Sequence, residues 1–443
     1  MKKFEQYKRM IKFGSALVIV LLEVAIYAFV WYGYYNPMLE SPFWRRGNWL
    51  MIALYGVLLL FFLKTYGGLK IGYLRKGNLI YSQILSVVFV NLVIYAQVAL
   101  IDKRLHNMLA ILFVTALDVL AILAWTFVFQ WIYGLMFPPR QMLYVHGSRS
   151  TSYLRDKINS REDKYQISRA LDYRCGMDRL FKEIDKYDAV IIDDIPSHER
   201  NMLIKKCYEK SIRTYSAPKI SDILIRSSGD LNLFDSPLLL SKNDGLQIEQ
   251  KAAKRLLDLL FSLTGLILTS PLFVLIAISI KMTDRGPVFY KQTRLTLDGR
   301  KFEIFKFRTM IQDAEKDGRA VLAKEEDDRI LPVGRLLRRA RLDELPQLWN
   351  ILKGEMSVVG PRPERPELME EIVEEIPEFV YRLKVKAGLT GYAQVYGKYN
   401  TTAYDKLKLD LTYIRNYSIF LDLKLILMTP KIMLMKESTE GVQ

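Results

Sequence analysis

The sequence predicts a membrane protein of three parts: an N-terminal four-helix transmembrane bundle, a small α/β domain, and a mainly α C-terminal domain with a membrane helix hairpin. Half of the 443 residues are hydrophobic although a quarter are charged, which fits a chain whose apolar residues are gathered in bilayer segments. Four apolar runs of spanning length come before a region of soluble composition, and a fifth comes after it. The predicted domains are residues 1–136, 137–245 and 250–443.

The charge balance favours an anionic partner. The net charge is +16, which suits nucleic acid, acidic lipid headgroups or a phosphorylated substrate. Because long apolar runs are present, lipid and phosphate are favoured over nucleic acid. Cys175 and Cys207 lie in no CxxC or Cys/His pattern, so a disulfide framework and a zinc site are both disfavoured.

The four N-terminal apolar runs are predicted to span the membrane. They cover residues 11–32, 49–63, 79–101 and 108–133. Basic residues precede the first run as in a signal peptide, but no small-residue cleavage site follows, so we predict a retained helix. Lysine and arginine are concentrated before the first run and in the second loop, which predicts that both ends of the bundle face the cytoplasm.

The region after Pro138 is predicted to form a small α/β unit. Short β-rich runs at 142–145, 189–192 and 212–215 alternate with helix-compatible stretches. The segment His146-Gly147-Ser148-Arg149-Ser150 follows the first run and lacks the glycine pattern that admits a dinucleotide pyrophosphate. We therefore expect a scaffold or regulatory module without a cofactor, with an unknown ligand as the alternative.

The fifth apolar run, 256–280, is predicted to enter the membrane and return. Lys254 and Arg255 precede it and further basic residues follow it, so both flanks favour the same side of the membrane. Ser270-Pro271 lies in its middle, where proline kinks or breaks a helix. A re-entrant helix over 252–281 is the prediction, and a kinked spanning helix is the alternative. Asp258 is expected near the interface, where its structural role would be a helix-terminal ion pair.

Residues suited to phosphate chemistry follow this run. Their centre is Asp343 and Glu344, and Pro346 just after them predicts the first turn of a helix. An ionised Asp343 could act as a nucleophile towards phosphorus, and Glu344 could bind Mg²⁺. The alternative is structural, because acidic residues commonly cap helices and complement the helix dipole.

Cationic side chains near this centre could neutralise a diphosphate. Lys306 and Arg308 share one short motif, and Arg362 stands between two prolines that restrict the backbone. The alternative for Arg362 is a solvated arginine in a surface turn. The arginines of 335–341 are expected either to contact lipid headgroups or to form a solvated face, and the apolar run 423–435 is expected to be a membrane-surface or re-entrant anchor.

The motifs named above and several others follow one another along the C-terminal part of the chain. They are Lys254-Arg255 with Asp258, Ser270-Pro271, Gly286-Pro287-Val288 with Gln292 and Arg294, Lys306-Phe307-Arg308-Thr309-Met310, Leu342-Asp343-Glu344-Leu345-Pro346-Gln347-Leu348, Met356-Ser357-Val358-Val359-Gly360-Pro361-Arg362-Pro363, Gly388-Leu389-Thr390-Gly391 with Gln394, and Asp410 with Tyr413, Ser418 and Asp422. In this order they resemble the bacterial sugar transferases, which are polyprenyl-phosphate phosphoglycosyltransferases with a monotopic catalytic domain. Four helices followed by a Rossmann-like domain resemble the larger members that initiate capsule or exopolysaccharide synthesis.

The resemblance implies an undecaprenyl-phosphate sugar phosphotransferase. Asp343 would take the sugar phosphate from a UDP-sugar with release of UMP, and undecaprenyl phosphate would then accept it from the enzyme. Mg²⁺ is the implied cofactor, with Glu344 and Asp343 as its ligands. The implied substrate-binding residues are Arg362, Lys306, Arg308, Gln292, Arg294 and Gln394. The residues implied for the membrane hairpin are Lys254, Arg255, Asp258, Ser270 and Pro271.

The implied location is the bacterial inner membrane, with several spans and the catalytic domain on the cytoplasmic face. The implied partners are UDP-sugar, undecaprenyl phosphate and membrane lipids; a homo-oligomer is left open, and nucleic acid is not expected. Ala387 stands where the family usually has proline, and Arg341 where a small polar residue is common, which predicts altered loop rigidity or sugar preference. The rival functions are a non-catalytic membrane scaffold or sensor, and a transporter.

Overall fold

The computed structural model describes residues 2–147, 152–233, 235–241, 245–311, 327–398 and 401–433. It consists of two compact units, Met1–Ala217 and Pro218–Gln443. The second unit begins before the predicted domain limit at 245–250, because Ile220, Ile223 and Leu246 pack into the core that also contains Leu348 and Val358.

Long apolar helices dominate the first part of the chain. They are α1 (Lys8–Val30), α2 (Asn36–Met38), α3 (Arg46–Tyr66), α4 (Lys76–Ile101) and α5 (Leu109–Met136), and a π-helical segment, Trp31–Tyr35, joins the first two. Within the described residues, five helices are long and apolar enough to cross a membrane: four of these N-terminal segments and a later helix, Ile248–Asp284. The prediction of a membrane protein with several N-terminal apolar helices is therefore confirmed.

Aromatic stacking and polar pairs fill the space between these helices. Tyr27 stacks on Tyr55 with 4.1 Å between ring centroids. The side chain of Asn91 donates a hydrogen bond of 3.1 Å to Asp118 Oδ2, and Glu23, Asn91 and Asp118 are all buried. In the sequence these three polar residues lie on separate helices with no visible pairing. The fold joins Asn91 to Asp118, as expected where the apolar surroundings offer no water to a polar group.

A parallel sheet forms the remainder of the first unit. Its strands are β1 (Arg140–His146), β2 (Tyr165–Asp172), β3 (Ala189–Asp193) and β4 (Arg213–Ser216), in the order β2-β1-β3-β4 with all pairings parallel. The accompanying helices are α6 (Ser152–Asn159), α7 (Met177–Ile184) and α8 (Ser197–Glu209). Three strands match the predicted runs. The fourth, β2, was not predicted, because it is a half-exposed edge strand of polar composition. Cys175 and Cys207 are free, and positions 148–150 of the predicted glycine-poor segment lie outside the described residues.

The second unit is mostly helical with short paired strands. Its helices are α9 (Ile220–Arg226), α10 (Ile248–Asp284), α11 (Pro332–Arg339), α12 (Gln347–Lys353), α13 (Pro366–Glu375), α14 (Tyr392–Tyr396), α15 (Ala403–Arg415) and α16 (Ile419–Met433). Its strands are β5 (Gly229–Leu233), β6 (Ser236–Leu240), β7 (Phe289–Leu295), β8 (Lys301–Phe307), β9 (Ser357–Val359) and β10 (Gly388–Thr390). The pairs β5–β6 and β7–β8 are antiparallel, whereas β9 and β10 are parallel.

Helix α16 contributes to the core of this unit. Leu425 and Met428 are buried in one cluster with Met356, Phe379 and Leu407. The predicted anchor at 423–435 thus has a core-facing side, and its last two residues lie outside the described residues.

A buried ion pair joins the start of α10 to α16. Lys254 Nζ lies 2.7 Å from an oxygen of Asp422 and 2.9 Å from the hydroxyl of Tyr413, which itself donates to Asp422 at 2.7 Å. Lys254 is 5% exposed and Asp422 is fully buried. Every charge in this group therefore depends on the others for compensation.

Replacing Lys254 by Ala should destabilise the second unit strongly, because Asp422 would remain buried without its cationic partner. The expected loss is about 3–5 kcal/mol of unfolding free energy, measured by denaturant unfolding of the purified protein. Lys251→Ala, at an exposed position of the same helix, is the matched control and should change stability little. Equal losses in both variants would contradict the role given to the buried pair.

Candidate active site

Asp343 and Glu344 lie in a short 3₁₀ helix, Leu342–Glu344, between α11 and α12. Arg341 directly precedes this helix and has a φ of 52°, in the left-handed region. Pro346 directly precedes α12, so the predicted position just before a helix N-terminus is confirmed. Both carboxylates are 9% exposed, and no side chain caps α12.

Glu344 is held between two cations. Its Oε1 lies 3.3 Å from Lys306 Nζ and 3.1 Å from Arg362 Nη2. Burial alone would raise its pKa, but the opposing attraction of Arg362 and Lys306 lowers the pKa of Glu344 to about 2. Glu344 is therefore the member of the acidic pair that stays charged.

Asp343 is buried without a bound partner. Among the described residues, its carboxylate makes no hydrogen bond or ion pair. Burial and the adjacent charge of Glu344 raise the pKa of Asp343 to about 6, although Lys306, Arg338 and Arg362 act in the opposite direction. At neutral pH Asp343 is then mostly ionised.

The β7–β8 hairpin positions Lys306. Asn350 of α12 is fully buried; its Oδ1 accepts from the backbone N–H of Phe305, and its Nδ2 donates to the carbonyl of Glu303. These bonds fix the end of β8, where Lys306 lies. Asn350 stands in the same sequence block as Asp343, and a polar residue between apolar neighbours was the signal that could have identified it.

Close backbone packing positions Arg362. The backbone N–H of Gly360 donates to Thr390, and that of Gly388 donates to Pro361. A Cβ atom on Gly391 would lie 2.0 Å from the carbonyl oxygen of Gly360. Glycine is therefore required at this contact for steric reasons, and the two glycine-containing motifs form one unit that carries Arg362.

The other predicted substrate-binding residues have different surroundings. The guanidinium of Arg308 contacts Asp284 at the end of α10 and donates to Pro287 at 2.6 Å, so it does not join Lys306 at Glu344. Arg294 donates to Gln292 at 2.7 Å and to the carbonyl of Pro363 at 3.5 Å. This places the pair beside the segment that carries Arg362.

Gln394 also lies near that segment. Its amide oxygen is within 3.8 Å of a Cβ built on Gly391. Both of its terminal amide atoms are buried and have no hydrogen-bond partner in the described part of the chain. A buried amide left in this state usually has a partner that the protein alone does not supply.

The polar residues at the start of α10 connect it to the site. Arg255 donates to the carbonyls of Ile351 and Leu352 at the end of α12, at 2.7 and 2.8 Å. Asp258 accepts from the hydroxyl of Ser357 and from the backbone N–H of Val358, each at 2.8 Å. These residues hold α12 and β9, the two elements that follow the acidic pair, and among the described residues they make no hydrogen bond or ion pair with it.

Helix α10 continues through Ser270 and Pro271. Proline cannot donate to the carbonyl four residues earlier, which belongs to Ile267. The hydroxyl of Ser270 donates to that carbonyl at 2.8 Å. Serine thus satisfies the backbone acceptor that proline leaves open.

Two further residues bear on the site. Arg338 was predicted only as one of the arginines that contact lipid headgroups or form a solvated face. Its charge acts on Asp343, and its Nε donates to Thr309 at 2.9 Å. The backbone N–H of Ala387 donates to Thr296 Oγ1 at 3.1 Å. A proline at this position could not make that bond.

The C-terminal part of the chain matches a known protein family. Residues 249–436 match the family model described as bacterial sugar transferase. A putative undecaprenyl-phosphate N-acetylgalactosaminyl 1-phosphate transferase of Bacillus subtilis is 46% identical over 132 residues, which are 30% of this chain and 73% of the relative. The chain belongs to the bacterial sugar transferase family.

Other members of the bacterial sugar transferase family are also similar. A Klebsiella pneumoniae protein named UDP-glucose:undecaprenyl-phosphate glucose-1-phosphate transferase is 36% identical over 258 residues, 57% of this chain and 54% of the relative. The exopolysaccharide production protein ExoY of Rhizobium meliloti is 38% identical over 192 residues, 40% of this chain and 83% of the relative. The chain thus spans about half the length of the Klebsiella relative.

Gly391→Ala should displace the backbone of Gly360. Arg362, two residues further along the same segment, should move with it. Overpacking of this kind costs about 1–3 kcal/mol, and a lower unfolding temperature would report it. Gly229→Ala is the control, since no atom lies within 4 Å of a Cβ there. An unchanged unfolding temperature in Gly391→Ala would show that the contact is not tight.

Proposed function

We propose that this protein transfers a sugar 1-phosphate from a UDP-sugar to undecaprenyl phosphate through a covalent intermediate on Asp343. The observation that carries the proposal is the unequal pair: Glu344 is fixed by Lys306 and Arg362, while the neighbouring Asp343 is buried and, within the described residues, unpartnered. A buried carboxylate that is kept reactive in this way costs stability and is typical of a catalytic site.

The proposed reaction has two displacements at phosphorus. An oxygen of Asp343 attacks the phosphorus that bears the sugar; a new O–P bond forms, the bond to the bridging oxygen breaks, and UMP leaves with that oxygen. An oxygen of undecaprenyl phosphate then attacks the same phosphorus and releases the carboxylate of Asp343. The products are UMP and undecaprenyl diphosphate sugar, and the enzyme is regenerated. Arg362 and Lys306 are placed to offset the charge of the transferring group.

The acidic pair also fits a magnesium site. Mg²⁺ commonly uses one or two carboxylates together with substrate phosphates, and in the described part of the chain no cluster of three or more His, Cys, Asp or Glu side chains forms a protein-only site. Asp343 and Glu344 would hold the ion, Asp343 through its unpartnered carboxylate. When bound, the ion would neutralise charge on the diphosphate of the nucleotide sugar.

The surrounding polar side chains would hold the substrate. The unpartnered amide of Gln394 and the Arg294–Gln292 pair lie next to the segment that carries Arg362, so we assign them to the nucleotide sugar. Arg308 would act indirectly by fixing the end of α10 through Asp284. Glucose and N-acetylgalactosamine are the first sugars to test, because the named relatives act on them.

For the membrane, we propose that α10 is re-entrant and that the acidic pair works at the cytoplasmic face of the bacterial inner membrane. Asp258 near the start of α10 contacts Val358, and Asp284 at its end contacts Arg308, in the same compact unit; a straight helix would separate these two residues by ~39 Å. Its middle exposes apolar side chains around Pro271, including Leu268 and Leu275. The N-terminal helices would form a four-helix bundle joined to a Rossmann-like domain, with exopolysaccharide, capsule or O-antigen synthesis as the pathway.

Asp343→Asn should abolish sugar phosphate transfer, because the neutral amide cannot displace UMP. We expect UMP release with undecaprenyl phosphate to fall by at least about 10³-fold, measured in membranes or detergent across a panel of UDP-sugars. With UDP-sugar alone, the wild type should release about one UMP per enzyme and gain the mass of a sugar phosphate on a peptide containing Asp343.

The control for this variant is Asp298→Asn, which changes an exposed carboxylate of the same unit and should leave turnover unchanged. Near-normal turnover in Asp343→Asn would remove its role as the nucleophile. A wild type that releases no UMP with any UDP-sugar would favour the alternative, a non-catalytic scaffold or sensor of polysaccharide assembly.

Chelation of divalent cations should stop UMP release, because the diphosphate would lose its counter-charge. Activity in excess EDTA is expected to fall below about a hundredth of its initial value, in line with the several kcal/mol that a metal contributes to charge stabilisation. Added Mg²⁺ should restore it, whereas Na⁺ at the same ionic strength should not. Full activity in EDTA would disprove the metal role of Glu344 and leave the nucleophile to be judged by Asp343→Asn.

A further inference from the structure

We infer that the first compact unit binds the phosphate group of an anionic membrane lipid through four cations, here named the basic cluster: Lys8, Lys12, Arg140 and Lys164. This site is distinct from Asp343 and Glu344 and does not depend on the proposed transfer reaction. It lies within Met1–Ala217, where the ends of apolar helices meet the edge of the parallel sheet.

The members of the basic cluster come from three elements. Lys8 and Lys12 are four residues apart at the start of α1, so they project from the same face of the helix. Arg140 is the first residue of β1, and Lys164 immediately precedes β2, which pairs with β1. The N-terminal ends of two neighbouring strands are thus brought to the start of a predicted membrane helix.

Aromatic rings hold the ammonium groups together. Lys12 Nζ lies 3.8 Å from the ring centroid of Tyr73, and Lys164 Nζ lies 4.5 Å from the same centroid. Lys8 Nζ lies 4.6 Å from the ring of Phe137. Arg161 fixes the Tyr73 backbone by donating to its carbonyl at 2.7 Å. Two lysines therefore contact the same ring, and their like charges repel each other unless an anion lies between them.

Acidic side chains do not balance these charges. Within the described residues, neither Lys8, Lys12 nor Lys164 forms an ion pair. Glu5 and Asp163 are described carboxylates near the cluster, and Arg140 and Arg161, respectively, already contact them. Burial and the neighbouring Arg161 lower the pKa of Lys164. Half-buried ammonium groups without a counter-ion are unfavourable, and a bound phosphate would compensate them.

The position of the cluster favours a lipid as the source of that phosphate. Lys8 and Lys12 belong to a helix apolar enough to cross the membrane, and Tyr73, Tyr133 and Phe137 are aromatic residues beside helix ends, as is typical of the membrane interface. Lysines at this depth attract anionic headgroups. A soluble phosphate compound has the same binding chemistry, but nothing would retain it at the interface.

The test compares lipid-induced stabilisation of the full-length protein in neutral detergent. Short-chain phosphatidylglycerol should raise the unfolding temperature of the wild type, whereas phosphatidylcholine of equal chain length should not. In Lys12→Gln/Lys164→Gln the apparent affinity for phosphatidylglycerol should fall about 30-fold, because each lysine is expected to raise that affinity roughly fivefold. Lys12→Arg/Lys164→Arg keeps the charges and should retain most of the shift, which separates charge loss from misfolding.

Lys182→Gln/Lys205→Gln removes the same charge from exposed positions of the same unit and should respond to phosphatidylglycerol like the wild type. An unchanged response in Lys12→Gln/Lys164→Gln would overturn the site. Inorganic phosphate and UMP form a further arm. One outcome is that one of these compounds stabilises the wild type as strongly as phosphatidylglycerol does and fails to stabilise Lys12→Gln/Lys164→Gln. In that case the ligand is a soluble phosphate, and the assignment to lipid is wrong.

Discussion

The arrangement of the candidate site depends on one carboxylate, Glu344, which accepts from Lys306 and Arg362 at the same oxygen. These cations arrive on separate parts of the fold: Lys306 at the end of a β-hairpin and Arg362 after the glycine contact between Gly360 and Gly391. Because both cations pair with this one buried oxygen, loss of the Glu344 carboxylate would leave the two positive charges close together without compensation. The consequence for Asp343 is that both cations lie nearby while its own carboxylate stays without a partner among the described residues.

The motif residues thus have two different physical tasks. Some surround the acidic pair, whereas others hold the elements that carry it. Arg255 fixes the end of α12, and Asp258 fixes β9, the strand that leads to Arg362. Lys254 pairs with Asp422 inside the same unit. The apolar helix α10 therefore serves as a support for the site, through buried polar bonds that are unfavourable if only partly satisfied.

The first unit also contains buried or half-buried polar and charged side chains, and different groups surround them. Inside its helices, Asn91 donates to Asp118 Oδ2 where water is excluded, while the Oδ1 atoms of both side chains have no partner among the described residues. At the helix ends, aromatic rings contact the lysines of the basic cluster, and the described carboxylates nearby, Glu5 and Asp163, are already contacted by arginines. The contrast explains why the buried polar pair is interpreted as structural, whereas the basic cluster calls for an external anion.

Hydropathy, proline placement and motif order were enough to predict the apolar helices, the helix start after Pro346 and the residues that make up the acidic pair. These features depend on local spacing, which the chain carries with it before it folds. Contacts between distant segments could not be predicted in the same way. Lys306 and Arg308 are two residues apart, yet one reaches Glu344 and the other Asp284. Two such residues would share a face within a strand, but β8 ends at Phe307, so Arg308 lies beyond it and its direction is set by packing against the end of α10. The edge strand β2, the pairing of Asn91 with Asp118, and the action of Arg338 on Asp343 likewise arise only when separate elements pack together.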